Sequence, residues 1–183
     1  MNHQSSIINH HSINCRGKLI DLSTPKIMGI LNLTPDSFSD GGKFNDEKSA
    51  LLQAEKMIKD GADFIDIGAQ STRPNADFLS ARQEILRIGN VISLIKKEFP
   101  ETLISLDTFY ADVVKFGFDE GIDVVNDISG GDFDDNLLKT VAKTKLPYIL
   151  MHSNSTYQNM HEKIQYEDII VSLNYSFSKK INE

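Results

Sequence analysis

A chain of 183 residues is long enough for one domain with a substantial core, and its 40% hydrophobic and 25% charged content is typical of a soluble globular protein. The formal charge of −7 argues against a general nucleic-acid-binding role, which needs a basic surface to neutralise phosphates. The single cysteine, Cys15, excludes an internal disulfide, and no apolar run approaches the ~20 residues that span a bilayer. We therefore predict a cytoplasmic enzyme that binds neither nucleic acid nor a membrane.

The first 18 residues are predicted to be a partly disordered leader in front of one domain over residues 19–183. They are polar and lack the charged and apolar regions of a secretory signal. His10 and His11 are neighbours, but no carboxylate or thiol stands near them in the sequence. We interpret this pair as solvated side chains rather than metal ligands.

From residue 27 onward, short apolar runs alternate with longer segments of helical periodicity, which is typical of βαβ units and a parallel sheet. The predicted strands are 27–31, 64–67, 103–106, 122–125 and 148–151. The predicted helices are 47–60, 80–98, 111–120, 136–143 and 166–181. This α/β pattern fits either a doubly wound open sheet or a (β/α) barrel, although the G-x-G-x-x-G loop of dinucleotide-binding sheets does not follow the first strand.

Polar side chains stand where the predicted strands end. In chain order they are Asn32, the loop of Ser71, Thr72 and Arg73, then Asp107, Asn126 and, with the last strand, Met151. Because parallel strands bring their carboxyl ends to one edge of a sheet, residues about 120 positions apart are predicted to line one pocket.

Each of these residue types has a chemical use at such an edge. Asp107 offers only acceptors and Asn126 offers both a donor and an acceptor, a pair that suits a planar heterocycle such as an aminopyrimidine. Arg73 can clamp a phosphate or a carboxylate through two parallel hydrogen bonds. Asn32 can offer its amide oxygen to a metal or its amide nitrogen to an anion, and Met151 can supply an apolar wall for a flat ring.

Purely structural roles are open for the same residues. Asp107 and Thr108 can form a capping pair for the helix predicted at residue 111, and Asn126 can serve the turn into Gly130 and Gly131. Their joint occurrence at successive strand ends favours a functional interpretation.

Five segments carry a family resemblance. They are GILNLTPDSFSDGG (29–42), FIDIGAQSTRP (64–74), SLDT (105–108), VVNDIS (124–129) and LMH (150–152). In this order and spacing the chain resembles dihydropteroate synthase of the folate pathway. The resemblance implies a (β/α)8 TIM-barrel fold, here truncated to about five β/α units. It also implies condensation of a dihydropterin-CH2-diphosphate with 4-aminobenzoate to dihydropteroate and diphosphate, with Mg2+.

The resemblance also implies roles for individual residues. Asp107 and Asn126 match residues that bind the pyrimidine edge of the pterin, and Thr72 matches one that contacts its diphosphate. Asn32 matches the residue associated with Mg2+ and the diphosphate. From their place at the strand ends, and not from the resemblance, Ser71 and Met151 are also predicted to bind substrate.

Two further loops match the mobile loops that close over the family's site. They carry Asp36, Phe38 and Arg73, and they shape the aminobenzoate pocket. On this basis Arg73 and Asp36 are the predicted catalytic residues and Phe38 is a substrate-binding residue.

The chain departs from the family in two places. The later motifs, a DPG-type strand, a Ser-Arg-Lys segment and a final Arg and His, are not found before residue 183. We therefore expect the first and fifth strands to be sheet edges, and the chain alone to be inactive, aggregation-prone or a weak pterin binder. Residues 153–157 also differ from the family's run after LMH, so no role is assigned to His152.

Two other functions remain open from the sequence. One is a corrinoid-type methyltransferase domain that binds a pterin or folate, and the other is a non-catalytic pterin-binding fragment. The intact NLTPDSFSDGG loop weighs against methyl transfer, which needs no diphosphate or aminobenzoate site. The resemblance allows a homodimer for the full-length enzyme.

Overall fold

A computed structural model of the chain describes residues 11–34, 42–70, 78–152 and 165–182, with the side chains of residues 42–46 left out. The strands, in chain order, are β1 (Ser12–Cys15), β2 (Lys18–Asp21), β3 (Met28–Asn32), β4 (Phe64–Gly68), β5 (Leu103–Asp107), β6 (Val124–Asp127) and β7 (Tyr148–Leu150). The helices are α1 (Gly42–Lys59), α2 (Ala81–Ile88), α3 (Val91–Glu98), α4 (Ala111–Glu120), α5 (Leu137–Thr144) and α6 (Ile169–Ile181). None of the helices in the described ranges has the length and apolar content that crossing a bilayer requires.

The central element is a parallel sheet of β3, β4, β5, β6 and β7, in which each strand pairs with the next one along the chain. This order is that of consecutive β/α units in a barrel, and the expected fold class is confirmed as part of a barrel. As expected, β3 and β7 are its edges. Ile30 on β3 is 63% exposed and Ile149 on β7 is 40% exposed, so both edge strands carry bare apolar side chains.

Alternation along the strands separates two faces of the sheet. One set of side chains packs with the helices into the main core, including Leu31, Ile65, Ile67, Ile104 and Leu106. The side chains between them form the opposite, inner face, which contains Phe64, Asp66 and Gly68 on β4. Both faces of β4 are buried, which explains why its sequence contains a nearly continuous apolar run.

The helix predicted over residues 80–98 is two helices. The chain turns at Gly89, whose φ of 52° lies in the left-handed region that a residue without a Cβ adopts at low cost. The N–H of Gly89 still donates to the carbonyl of Ile85, which ends α2 before α3 begins at Val91. The α4 helix begins and ends where the sequence predicts.

A hairpin of β1 and β2 covers the amino-terminal end of the sheet. Its turn at Arg16 and Gly17 has positive φ at both residues, as the tight turns of two-residue hairpins require. Cys15 packs there with Phe64, Leu103 and Val124, which lie at the starts of three strands. Residues 11–18 are therefore folded, and the domain begins before the predicted boundary at residue 19, which falls inside β2.

The hairpin residues Arg16 and Cys15 lie in different environments. The guanidinium of Arg16 donates to the carbonyls of Phe118 and Ile122 at 3.2 Å each, and it stacks 4.5 Å from the centre of the Phe118 ring. Burial raises the pKa of the Cys15 thiol to about 11, so this cysteine stays protonated at neutral pH. The thiol of Cys15 is therefore a poor nucleophile at neutral pH.

Candidate functional site

The register of the sheet aligns one row of residues across the carboxyl ends of the strands. Asn32 pairs with Gly68, Gly68 with Asp107, Asp107 with Asn126, and Asn126 with Ile149. Because residues in register on neighbouring strands point to the same face, this row is on the inner face. The structure thus brings together three of the residues predicted to share a pocket.

Gly68 allows two of these side chains to approach each other. A Cβ built on Gly68 would lie 3.3 Å from Oδ2 of Asp107 and 3.5 Å from Oδ1 of Asn32. The two oxygens therefore flank the space above the glycine. A larger residue at position 68 would crowd both of them, so the glycine keeps the centre of the row open to a ligand.

The amide of Asn126, on β6, points across the inner face to a carboxylate on β4, two strands away. Its Nδ2 donates to Oδ2 of Asp66 at 3.1 Å. The turn into Gly130 and Gly131 instead uses Asp127, whose two oxygens accept the backbone N–H groups of Ser129 and Gly131, each at 2.7 Å. The structural alternative considered for Asn126 is therefore wrong, since the neighbouring residue serves the turn.

Asp107 is likewise not used as a helix cap. The N–H of Ala111, in the first turn of α4, donates to Oδ2 of Asp134 at 2.8 Å. Thr108 Oγ1 accepts the N–H of Tyr110 at 3.2 Å. The capping alternative is therefore wrong for Asp107, whereas Thr108, the other residue of that pair, does bond a backbone donor just before α4.

The carboxyl of Asp107 lies in an environment that disfavours its charge. Burial first, and then repulsion from Asp66, Glu84 and Asp127, raise its pKa to about 7. Glu84, on α2, is fully buried, and burial raises its pKa to about 7 as well, although hydrogen bonds from Thr108 and Gln70 partly oppose the shift. A ligand with N–H donors or positive charge would lower the pKa of Asp107.

A protein-family model described as "Pterin binding enzyme" matches residues 28–183. The chain belongs to this pterin-binding enzyme family. The match covers all five strands of the parallel sheet and the whole row at their ends.

Individual relatives agree with this membership. The chain is 47% identical over 158 residues to a mitochondrial folate synthesis bifunctional protein of Arabidopsis thaliana. The aligned region covers 83% of this chain and 28% of the relative. A solved dihydropteroate synthase of Yersinia pestis in a sulfonamide complex has 38% identity and a TM-score of 0.82, over 94% of this chain and 61% of that one. The Xanthomonas albilineans enzyme with 4-aminobenzoic acid has 30% identity and a TM-score of 0.79, over 93% and 59%.

These comparisons also show how much of each relative's length the chain spans. It spans just over a quarter of the plant relative and about three fifths of the two solved chains. The resemblance to dihydropteroate synthase that the motifs predict is confirmed.

The remaining predicted residues of the chain fall in two groups. Met151 directly follows β7, and its N–H donates to the carbonyl of Asp127 at 3.4 Å, so it lies at the same end of the sheet with 37% of its surface exposed. The others lie outside the described residues: Asp36, Phe38, Ser71, Thr72 and Arg73. Their roles stay predictions.

Two buried acids near the row were missed from the sequence. Asp66 interrupts the apolar run of β4 two residues before Gly68, and Glu84 stands at a buried position of the amphipathic α2. An acid at a position that periodicity assigns to the interior is the pattern that could have identified both. His152 bonds Ser176 of α6 at 2.9 Å and Tyr166, which precedes α6, at 3.3 Å.

Proposed function

We propose that this protein is a dihydropteroate synthase of folate biosynthesis, which joins a dihydropterin-CH2-diphosphate to 4-aminobenzoate and releases diphosphate. The observation that carries the proposal is the pairing of Asp107 with Asn126 in register, at the open end of the sheet and across Gly68 from Asn32. Family membership and the named relatives support it.

Pterin recognition follows from the acceptors in this row. Asp107 has two carboxylate oxygens that can accept from adjacent N–H groups of an aminopyrimidine. Asn126, whose Nδ2 bonds Asp66, keeps its Oδ1 for a further donor of the same ring edge. The pKa of Asp107, raised to about 7 in the free chain, would fall when such donors bind, so pterin binding would release protons near neutral pH.

The predicted magnesium ion fits Asn32 as a ligand. Among the described residues no three His, Cys, Asp or Glu side chains form a metal-binding group. Mg2+ commonly takes one or two protein oxygens and completes its shell with water and substrate phosphate oxygens, so the single Oδ1 of Asn32 beside the open row suits it. The ion would neutralise charge that develops on the leaving diphosphate.

The contribution of the protein to the reaction is binding and positioning. Asp107 and Asn126 hold the ring so that its exocyclic carbon faces the incoming arylamine. No protein nucleophile is required, and Cys15 is buried at the opposite end of the sheet with a raised pKa. We propose that Asp36 and Arg73 are the catalytic residues, as the resemblance predicts.

Calorimetric titration of the 183-residue chain with 6-hydroxymethylpterin, followed by 4-aminobenzoate or methyltetrahydrofolate, tests the proposal. We expect pterin binding and a response to 4-aminobenzoate in its presence. Preference for methyltetrahydrofolate would favour the methyltransferase instead, and no pterin binding by a folded, non-aggregated sample of the chain would refute the proposal. Diphosphate release by this chain would contradict the expectation that it is inactive alone. The cytoplasmic location and the homodimer stay predictions.

A further inference from the structure

A buried carboxylate beneath the row is not explained by the fold. Asp66 lies in the middle of β4 on the inner face and is 5% exposed. Its Oδ2 accepts from Asn126, while its Oδ1 is buried without a hydrogen-bond partner among the described residues. An unpaired buried carboxylate oxygen opposes folding, so an apolar residue would fill this layer at lower cost.

The charge of Asp66 also acts against its neighbour. It is the largest charge contribution among those that raise the pKa of Asp107. Both effects are unfavourable to the empty protein, whereas the contact that Asp66 gains is the bond to Asn126. The bond to Asn126 is therefore the contact that can explain a function for Asp66.

The bond has a consequence for the Asn126 amide. A carboxylate can only accept, so it binds the Nδ2 side of the amide and directs Oδ1 away from Asp66. Asn126 is in register with Asp107, so an Oδ1 turned away from Asp66 can serve as an acceptor in the same row as the Asp107 carboxylate. A row of acceptors matches a ring edge that carries an amino group next to a ring N–H.

We propose that Asp66 is a positioning residue: it holds the Asn126 amide with its oxygen toward the ligand and thereby selects a 2-amino over a 2-oxo pteridine. This inference rests on the proposed function for the identity of the ligand. A 2-oxo group presents an acceptor to the Asn126 oxygen and is repelled, whereas a 2-amino group donates to it.

Ser105 provides a matched control. It lies in register with Asp66 on β5, is fully buried, and has an Oγ without a partner among the described residues. Ser105→Ala therefore removes a buried polar atom from the same layer but leaves the bond between Asp66 and Asn126 in place.

The first experiment needs no ligand. In the full chain, a nuclear Overhauser contact is expected between the Nδ2 protons of Asn126 and the β-protons of Asp66, with the Asn126 signals assigned by their loss in Asn126→Ala. Lack of that contact would refute the positioning role, whether or not Asp66→Asn folds.

The second experiment measures the preference between two probes, 6-hydroxymethylpterin and its 2-oxo counterpart 6-hydroxymethyllumazine. Asp66→Asn introduces an amide that can donate or accept, so the Asn126 amide can turn over. The dissociation constant of 6-hydroxymethyllumazine divided by that of 6-hydroxymethylpterin should then fall about tenfold. Ser105→Ala should keep the ratio of the unmodified chain.

The outcomes separate the possible explanations. Equal weakening of both probes by Asp66→Asn would show a merely structural role and overturn the inference. An unmodified chain that binds neither probe would refute the proposed function, while the contact between Asn126 and Asp66 would still decide the orientation of the amide.

Discussion

Each end of the parallel sheet contains a carboxylate, buried at Asp123 and half-buried at Asp107, and the two have opposite environments. At the amino-terminal end, Asp123 accepts from Lys96 Nζ at 2.5 Å and from the N–H of Ile104 at 2.8 Å, next to the apolar layer that the hairpin covers. At the carboxyl end, Asp107 lies near other acids, which together with burial raise its pKa to about 7. The charge of Asp123 is thus balanced within the protein, whereas the charge of Asp107 is to be balanced by a ligand.

The largest expected effect is on binding at the carboxyl end. Asp107→Asn should weaken the binding of 6-hydroxymethylpterin about 100-fold, because the amide replaces one acceptor by a donor and loses the charge-assisted hydrogen bonds. Thermal unfolding at pH 8 should show no loss of stability, since a buried charge has been removed. An affinity within threefold of the unmodified chain would contradict the role of Asp107.

At the other end the same substitution should act on stability instead. Asp123→Asn should lower the free energy of unfolding by about 2–3 kcal/mol, because the partly buried Lys96 ammonium loses its charged partner and keeps only the carbonyl of Thr102. Urea unfolding measures the change, and the affinity for the pterin probe should stay unchanged. Asp119→Asn, at an exposed position of α4, is the control and should change stability by less than about 0.5 kcal/mol. If Asp123→Asn lowered the affinity for the pterin probe without lowering stability, the structural role of Asp123 would be contradicted.

A smaller effect concerns pH. The folded-state pKa of Glu84 is raised from 4.5 to about 7, so between these values the folded chain binds more protons than the unfolded chain. Its contribution to stability must then fall as pH rises from about 4.5 to 7, by roughly 3 kcal/mol. Glu84→Gln, which keeps hydrogen-bonding groups for Gln70, should reduce this decline in urea unfolding at pH 5 and pH 8. An unchanged decline would show that Glu84 is not its source.

Much of the fold could be predicted because the patterns are local. The apolar runs located the strands of the parallel sheet, and helical periodicity with a final glycine located α4. The break at Gly89 was missed because a glycine within a periodic segment does not by itself show that the chain adopts a positive φ. The hairpin was missed because its apolar side chains, such as Cys15, are buried against Phe64 and Leu103, far along the chain.

The sequence by itself determined the alternation of strands and helices and the shared edge for Asn32, Asp107 and Asn126. The physical reason is that parallel strands in one sheet point the same way, so their carboxyl ends must meet. Only the tertiary structure decided the bond between Asp66 and Asn126, which are 60 positions apart, and the raised pKa of Asp107. Both depend on distances between acids of separate elements and on their removal from water, and no local pattern of residues encodes either quantity.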